Sequence, residues 1–154
     1  MIKLKDILLE GKPSTIFVPR RIEDRFERRI SLYIKNGSKG SFDLQYSNLT
    51  KFPEILKNVD VGGYFDCSHT NLTSLENSPK SVSGDFYCVN NKLTSLVGAP
   101  KIVGGDFWCS YNLLTTLEGA PKVVGKDFFC NGNPGNFTSE QVRAICDVKG
   151  RIIV

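Results

Sequence analysis

Apolar residues in this chain recur as a block rather than along a helix face. Phe65, Phe86, Phe107 and Phe128 stand 21 residues apart, and each is followed two positions later by Cys67, Cys88, Cys109 or Cys130. Three complete copies of the block, FDCSHTNLTSLENSPKSVSGD (65–85), FYCVNNKLTSLVGAPKIVGGD (86–106) and FWCSYNLLTTLEGAPKVVGKD (107–127), join without a gap. A looser copy runs 23 residues from Phe42 to Phe65, and a truncated one opens with FFCNGNP at Phe128. The F-x-C alternation has period two, which puts Phe86 and Cys88 on one side of a short strand and Tyr87 on the other. Asn, Gly and Pro then punctuate every few residues, so a ten-residue helix has no room. Each unit therefore reads as one short strand plus an irregular return. A unit this small cannot bury its apolar row alone, whereas units stacked in parallel close a continuous core.

Helical spacing is confined to the two ends. Residues 1–10, MIKLKDILLE, place Leu4, Ile7 and Leu8 on one face, with Gly11 and Pro13 as a stop. Residues 14–19, STIFVP, read as an extended connection. From Arg20 to Lys35, Ile22, Phe26, Ile30 and Tyr33 recur at helical spacing before Asn36-Gly37. Near the other end, Thr138 and Gln141 have the spacing of a capping box ahead of Val142 and Ile145. That predicts a short helix ended by Gly150, with Arg151 to Val154 adding one strand.

The run L/F-x-C-x-x-N-x-L-x-x-L, covering about 42–137, resembles the leucine-rich repeat, and its short, proline-containing, helix-free return is similar to the repeats of secreted bacterial effectors. The aromatic at the first strand position, the Cys at the second and one extra residue per unit depart from that pattern. The opening MIKLKDILLE is similar to segments that begin small tailed-phage repeat proteins. The resemblance implies a repeat solenoid of short parallel β-strands with irregular returns and helical caps at both ends. It divides into a basic N-terminal cap (1–41), a five-turn solenoid (42–137) and a C-terminal cap helix and strand (138–154). The phage likeness implies a bacteriophage product working in host cytoplasm.

Charge sharpens this picture. Net charge is +4, yet residues 1–40 hold ten Lys/Arg against five Asp/Glu, while the remainder is nearly balanced. No apolar run approaches the roughly 18 residues of a membrane span, and the chain reads as cytoplasmic, with its five Cys as reduced thiols. Arg21, Arg25 and Arg29 form a like-charged i,i+4 row, with Arg28 beside it. These arginines are the candidate contact for an anion or nucleic acid.

In a parallel stack equivalent positions lie about 4.8 Å apart, so chemistry is read down columns. The Cys column points inward and does not converge on a tetrahedral metal site; no metal and no cofactor is expected. The Asn91, Asn112, Asn133 column turns inward to satisfy backbone groups of the bend. Gly62, Gly84, Gly104 and Gly125 are read as positions of positive φ. Outward stand Tyr87, Trp108 and Phe129, with Tyr111 and His69 beside them and Asp85, Asp106 and Asp127 on one edge. Folding does not require large aromatics on a solvent face, and Trp and Tyr make rigid contact area at little entropy cost. The expected function is a protein-protein interaction module, not an enzyme. It would grip another protein on a concave aromatic and acidic face that suits a basic partner, and act as an inhibitor or adaptor by occlusion. The alternative is a nucleic-acid binder that uses the Arg-rich helix for phosphates and the aromatics for base stacking.

Overall fold

The computed structural model describes residues 22–154; the expected helix over 1–10, the connection over 14–19 and Arg20 and Arg21 lie outside the described residues. Every strand is two residues long, and every pairing is parallel. One sheet has six strands, in the order β1 (Phe42–Asp43), β3 (Phe65–Asp66), β5 (Phe86–Tyr87), β7 (Phe107–Trp108), β9 (Phe128–Phe129) and β11 (Ile152–Ile153). The other has five: β2 (Asp60–Val61), β4 (Ser81–Val82), β6 (Ile102–Val103), β8 (Val123–Val124) and β10 (Asp147–Val148). The register pairs Phe65 with Phe86 and Phe86 with Phe107, so the repeat in the sequence is the repeat in space.

The second sheet corrects the reading of the returns as irregular. Each complete return carries its own strand, in which one side chain is buried and its neighbour is not: Val103 is fully buried and Ile102 is exposed. Two residues are too few to register as alternation in the sequence, so the signal is lost between the flanking Lys and Gly. The two extra residues of the first unit fall in a return that also holds a 3-10 turn over Glu54–Asn58.

Between the sheets runs the core. The Phe rings stack from unit to unit, with centroids 5.6 Å apart for Phe65 and Phe86 and 5.5 Å for Phe86 and Phe107. Leu72, Leu75, Leu93, Leu96 and Leu114 are fully buried beside them. Cys67, Cys88 and Cys109 are buried as free thiols, and each Sγ–H donates to a carbonyl in the next strand, at Tyr87, Trp108 and Phe129. Burial pushes these thiols well up, and pushes Cys130 and Cys146 to about 11. Among the described residues no group of His, Cys, Asp or Glu could hold a metal ion.

The Asn column closes the bends as its residue type demands. Asn112 Nδ2 donates to Cys88 O at 2.9 Å and to Cys109 O at 3.1 Å, while its Oδ1 accepts from Leu93 N at 3.2 Å. One amide thus ties its own unit to the preceding one. Asn91 and Asn133 repeat the arrangement.

The glycine column is not where φ turns positive. Gly62, Gly84, Gly104 and Gly125 are absent from the positive-φ positions; they are needed because backbones approach too closely for a side chain. A Cβ at Gly104 would lie 2.2 Å from Ser83 O, and one at Gly125 2.2 Å from Gly104 O. Glycine looks the same in a sequence whichever reason places it.

Two helices flank the strands. Helix α1 (Ile22–Lys35) buries Phe26 and Ile30 and sets Tyr33 edge-on to Phe42 at 5.1 Å. It ends where expected: Gly37 takes φ 79°, Gly37 N donates to Ile34 O and Ser38 N to Tyr33 O, as in a Schellman stop. Helix α2 (Ser139–Ile145) opens on a complete capping box between Thr138 and Gln141 and buries Val142. It stops at Ile145, ahead of β10 rather than at Gly150. No helix among the described residues is long and apolar enough to cross a membrane.

Candidate interaction surface

The outward side of the six-stranded sheet is built from three columns. The first holds Asp43, Asp66, Tyr87, Trp108 and Phe129, whose side chains leave their strands opposite to the buried Phe and Cys rows. Its aromatics are half-buried because they lie on one another. Trp108 stacks on Phe129 with centroids 3.5 Å apart and planes 11° apart, and Tyr87 follows at 6.1 Å. Tyr64 meets Tyr87 edge-on at 6.3 Å. The indole Nε1–H of Trp108 is covered by this packing and has no hydrogen-bond partner among the described residues.

The second column is Asp85, Asp106 and Asp127. Three carboxylates in a row would repel, and the backbone of the following unit relieves them. Asp106 N donates to Asp85 Oδ1 at 2.8 Å, Asp127 N to Asp106 Oδ1 at 2.9 Å, and Arg151 N to Asp127 Oδ1 at 2.8 Å. The other oxygen of Asp85 accepts from the Tyr87 hydroxyl at 2.9 Å, and that of Asp127 is held by the Arg151 guanidinium. Partial burial, then the Asp85 hydrogen bond and the charges of Asp85, Asp106 and Asp66, push Tyr87 up to about 12. The carboxylates of Asp66, Asp85 and Asp106 thus lie around the Tyr87 side chain. The Arg151 backbone N–H and then its side chain hold Asp127 below the usual carboxylate range.

The third column is Tyr46, His69, Asn90, Tyr111 and Gly132. All five have left-handed backbone, with φ of 54°, 53°, 55°, 55° and 72°. The bend after each strand demands that conformation, and Gly or Asn meets it with least strain, as Gly132 and Asn90 do. Three units carry ring side chains there instead. Tyr46 is 71 % exposed and Tyr111 60 %, and His69 is exposed as well. The Tyr46 ring stacks on His69 at 4.7 Å, and Asn90 Nδ2 donates to His69 Nδ1 at 2.9 Å, so neighbouring units hold these rings in place. The 21-residue register puts Tyr46 in one outward column with His69, Asn90 and Tyr111, but it names only His69 and Tyr111 as binding residues and does not show the left-handed backbone. The Asn and Gly later in the same column are the signal that the position is left-handed.

Of the arginines, Arg25, Arg28 and Arg29 are exposed on α1, and Arg21 lies outside the described residues. Arg29 is already engaged. Its Nη2 donates to Asp43 O at 2.7 Å, and its guanidinium lies 5.4 Å from the Phe42 ring centroid. The structure thus brings Tyr87, Trp108, Phe129, Asp85, Asp106, Asp127, Tyr111 and His69 onto one sheet, and leaves the arginines on the helix at its N-terminal end. No family model matches this chain, and neither does any curated protein or solved structure.

Proposed function

We propose that the parallel strands form a leucine-rich-repeat-type solenoid capped by α1 and α2, and that the chain is a protein-binding module. Its partner would dock on the outward side of the six-stranded sheet. The observation that carries this reading is the left-handed column: fold geometry alone favours Gly or Asn, yet Tyr46, His69 and Tyr111 place exposed rings there, with Tyr46 stacked on His69. Rigid aromatics are the residues that anchor protein interfaces. The Asp row and the field around Tyr87 suit a basic partner. Occlusion of that partner's surface, as an inhibitor or adaptor, is the mode of action; the opening MIKLKDILLE segment supports a viral origin and a host partner.

Binding of nucleic acid by the α1 arginines is less well supported. Arg29 is spent on Asp43 and Phe42, and the carboxylates beside Tyr87 and Trp108 would repel a phosphate backbone running over the rings. The test is retention of host-cell proteins by immobilised wild-type protein and by a Tyr46→Ala/Tyr111→Ala variant, compared by quantitative mass spectrometry. A protein held by the wild type and lost by about tenfold or more on the variant is the expected result, worth about 1.4 kcal/mol. If everything retained by the wild type is retained equally by the folded variant, the reading fails.

A further inference from the structure

The fifth unit is cut short, and the cut leaves a cavity. Where three preceding units carry the buried Leu72, Leu93 and Leu114, the fifth has Gly135; where they carry Leu75, Leu96 and Leu117, it has Thr138. The fourth unit is therefore incompletely covered on that side. Leu117 is 7 % exposed against 0 % for Leu75 and Leu96, and Ala120 is half-buried where Ala99 is buried. Helix α2 stands opposite without filling the gap, and its Ile145 remains 42 % exposed. Between them is a cavity of about 660 Å³ with Leu117, Ala120, Phe137 and Ile145 on its walls.

The rim of this cavity is charged. Lys101 and Lys122 lie on adjacent strand ends, with Lys122 N donating to Lys101 O at 2.9 Å, and both line the opening. Neither makes an ion pair among the described residues. Lys80 continues the row, since Lys101 N donates to Lys80 O. Glu118 is the one carboxylate on the rim, so the two lysines leave a net positive charge there. Gln141 also lines the cavity, but its side-chain oxygen already accepts from Thr138 N.

We propose that this cavity binds a small amphipathic carboxylate, its aryl or alkyl body against Leu117, Ala120, Phe137 and Ile145 and its carboxylate between Lys101 and Lys122. Charge complementarity selects the head group. The volume lies inside the roughly 300–1,000 Å³ of small-molecule sites, with helix α2 as one wall, which suits a ligand of compact size. None of the outward aromatics contributes to it, so this site and the protein-binding face stand or fall separately.

The full chain, labelled with ¹⁵N, would be titrated with 4-phenylbutyrate, with dodecanoate and with the neutral 4-phenylbutyramide while amide shifts are followed. At least one of the two carboxylates is expected to give saturable shifts confined to the cavity lining, near residue 101 and within 115–122, 135–137 and 139–145. The amide should bind about tenfold or more weakly, the scale of a lost charge-assisted hydrogen bond. Lys101→Gln/Lys122→Gln should weaken the carboxylate by a similar factor, and because both side chains are exposed, the variant's spectrum should otherwise overlay the wild type. Equal binding of acid and amide, indifference to the double substitution, shifts elsewhere on the molecule, or no saturation by about 1 mM for either acid would overturn the proposal. Tighter binding of a short acidic peptide at the same residues would overturn it too, because the occupant would then be a partner chain.

Discussion

Replacing Tyr111 by Gly separates what the fold needs from what the surface offers. The left-handed backbone costs an L-residue about 1–2 kcal/mol, which glycine recovers. Against that, glycine gives the unfolded chain extra freedom worth about 0.5–1 kcal/mol. The side chain also makes contacts: it is 60 % exposed and lies over Gly132. A tyrosine buries up to about 200 Å², so covering about 40 % of it removes about 80 Å² from water, worth about 2 kcal/mol at most. The three effects nearly cancel, and Tyr111→Gly should leave stability within about 1 kcal/mol of wild type. Urea unfolding with an unchanged slope measures this. Leu114→Ala, which empties a fully buried position three residues away, sets the contrasting scale at about 2–5 kcal/mol. A Tyr111→Gly protein that loses as much as Leu114→Ala would show that the ring is there for folding, and would remove the observation on which the binding reading rests.

Trp108→Phe should be neutral or stabilising by up to about 1 kcal/mol, because it keeps the stack on Phe129 and deletes an N–H buried without a partner; a clear loss in the urea midpoint would mean the indole is paired. Asn112→Leu strands Leu93 N–H and the Cys88 and Cys109 carbonyls and should cost roughly 1–3 kcal/mol for each buried group left unpaired; a near-native midpoint would deny the column its bridging role. Asp127 titrates lower in the folded chain than its ordinary 3.8, so its contribution is fully present above that value and is lost as pH falls through the folded value. Urea midpoints should show that acid loss in wild type and less of it in Arg151→Ala, and identical profiles would contradict the pairing. Asp106→Asn retains an oxygen for Asp127 N–H but removes the charge, so the midpoint should hold while affinity for a basic partner drops, as binding measured on that partner would show.

The repeat was legible because it repeats: one Phe could be anything, but Phe65, Phe86, Phe107 and Phe128 in fixed register leave few structures that bury them all. Chemistry made the inward columns readable too, since a side chain with two donors and an acceptor, placed at every bend, has backbone groups to satisfy. The second sheet was not legible, because the Ile102–Val103 pair is too short for a period. Nor could the sequence separate the two uses of glycine. The close approach at Gly104 depends on where the neighbouring return passes, which is a tertiary fact. The left-handed position after each strand was hidden because aromatic residues occupy it, and local rules assign Tyr to extended backbone. The period-two alternation did put Tyr87, Trp108 and Phe129 on the side of their strands away from the buried Phe row. What it could not show is that Trp108 and Phe129 cover each other, leaving Tyr46 and Tyr111 as the more exposed rings.

The acidic row divides in the same way once each oxygen is followed. Every carboxylate in it gives Oδ1 to a backbone N–H of the next unit, which is a folding role shared by Asp85, Asp106 and Asp127. Oδ2 is what remains for a partner. On Asp85 it holds the Tyr87 hydroxyl, with Lys126 also 3.9 Å from that carboxylate; on Asp127 it holds Arg151. Asp106 alone of the three has no hydrogen bond to Oδ2 among the described residues. It immediately precedes Phe107 and so lies two residues from Trp108, at the middle of the aromatic row. A basic side chain arriving there would meet an uncommitted oxygen, while the fixed Oδ1 bond holds the carboxylate in one orientation beforehand. Preorganisation of this kind lowers the entropy lost on binding. The repeat thus supplies three equivalent carboxylates for its own stacking, and differences in their neighbours leave one available for recognition.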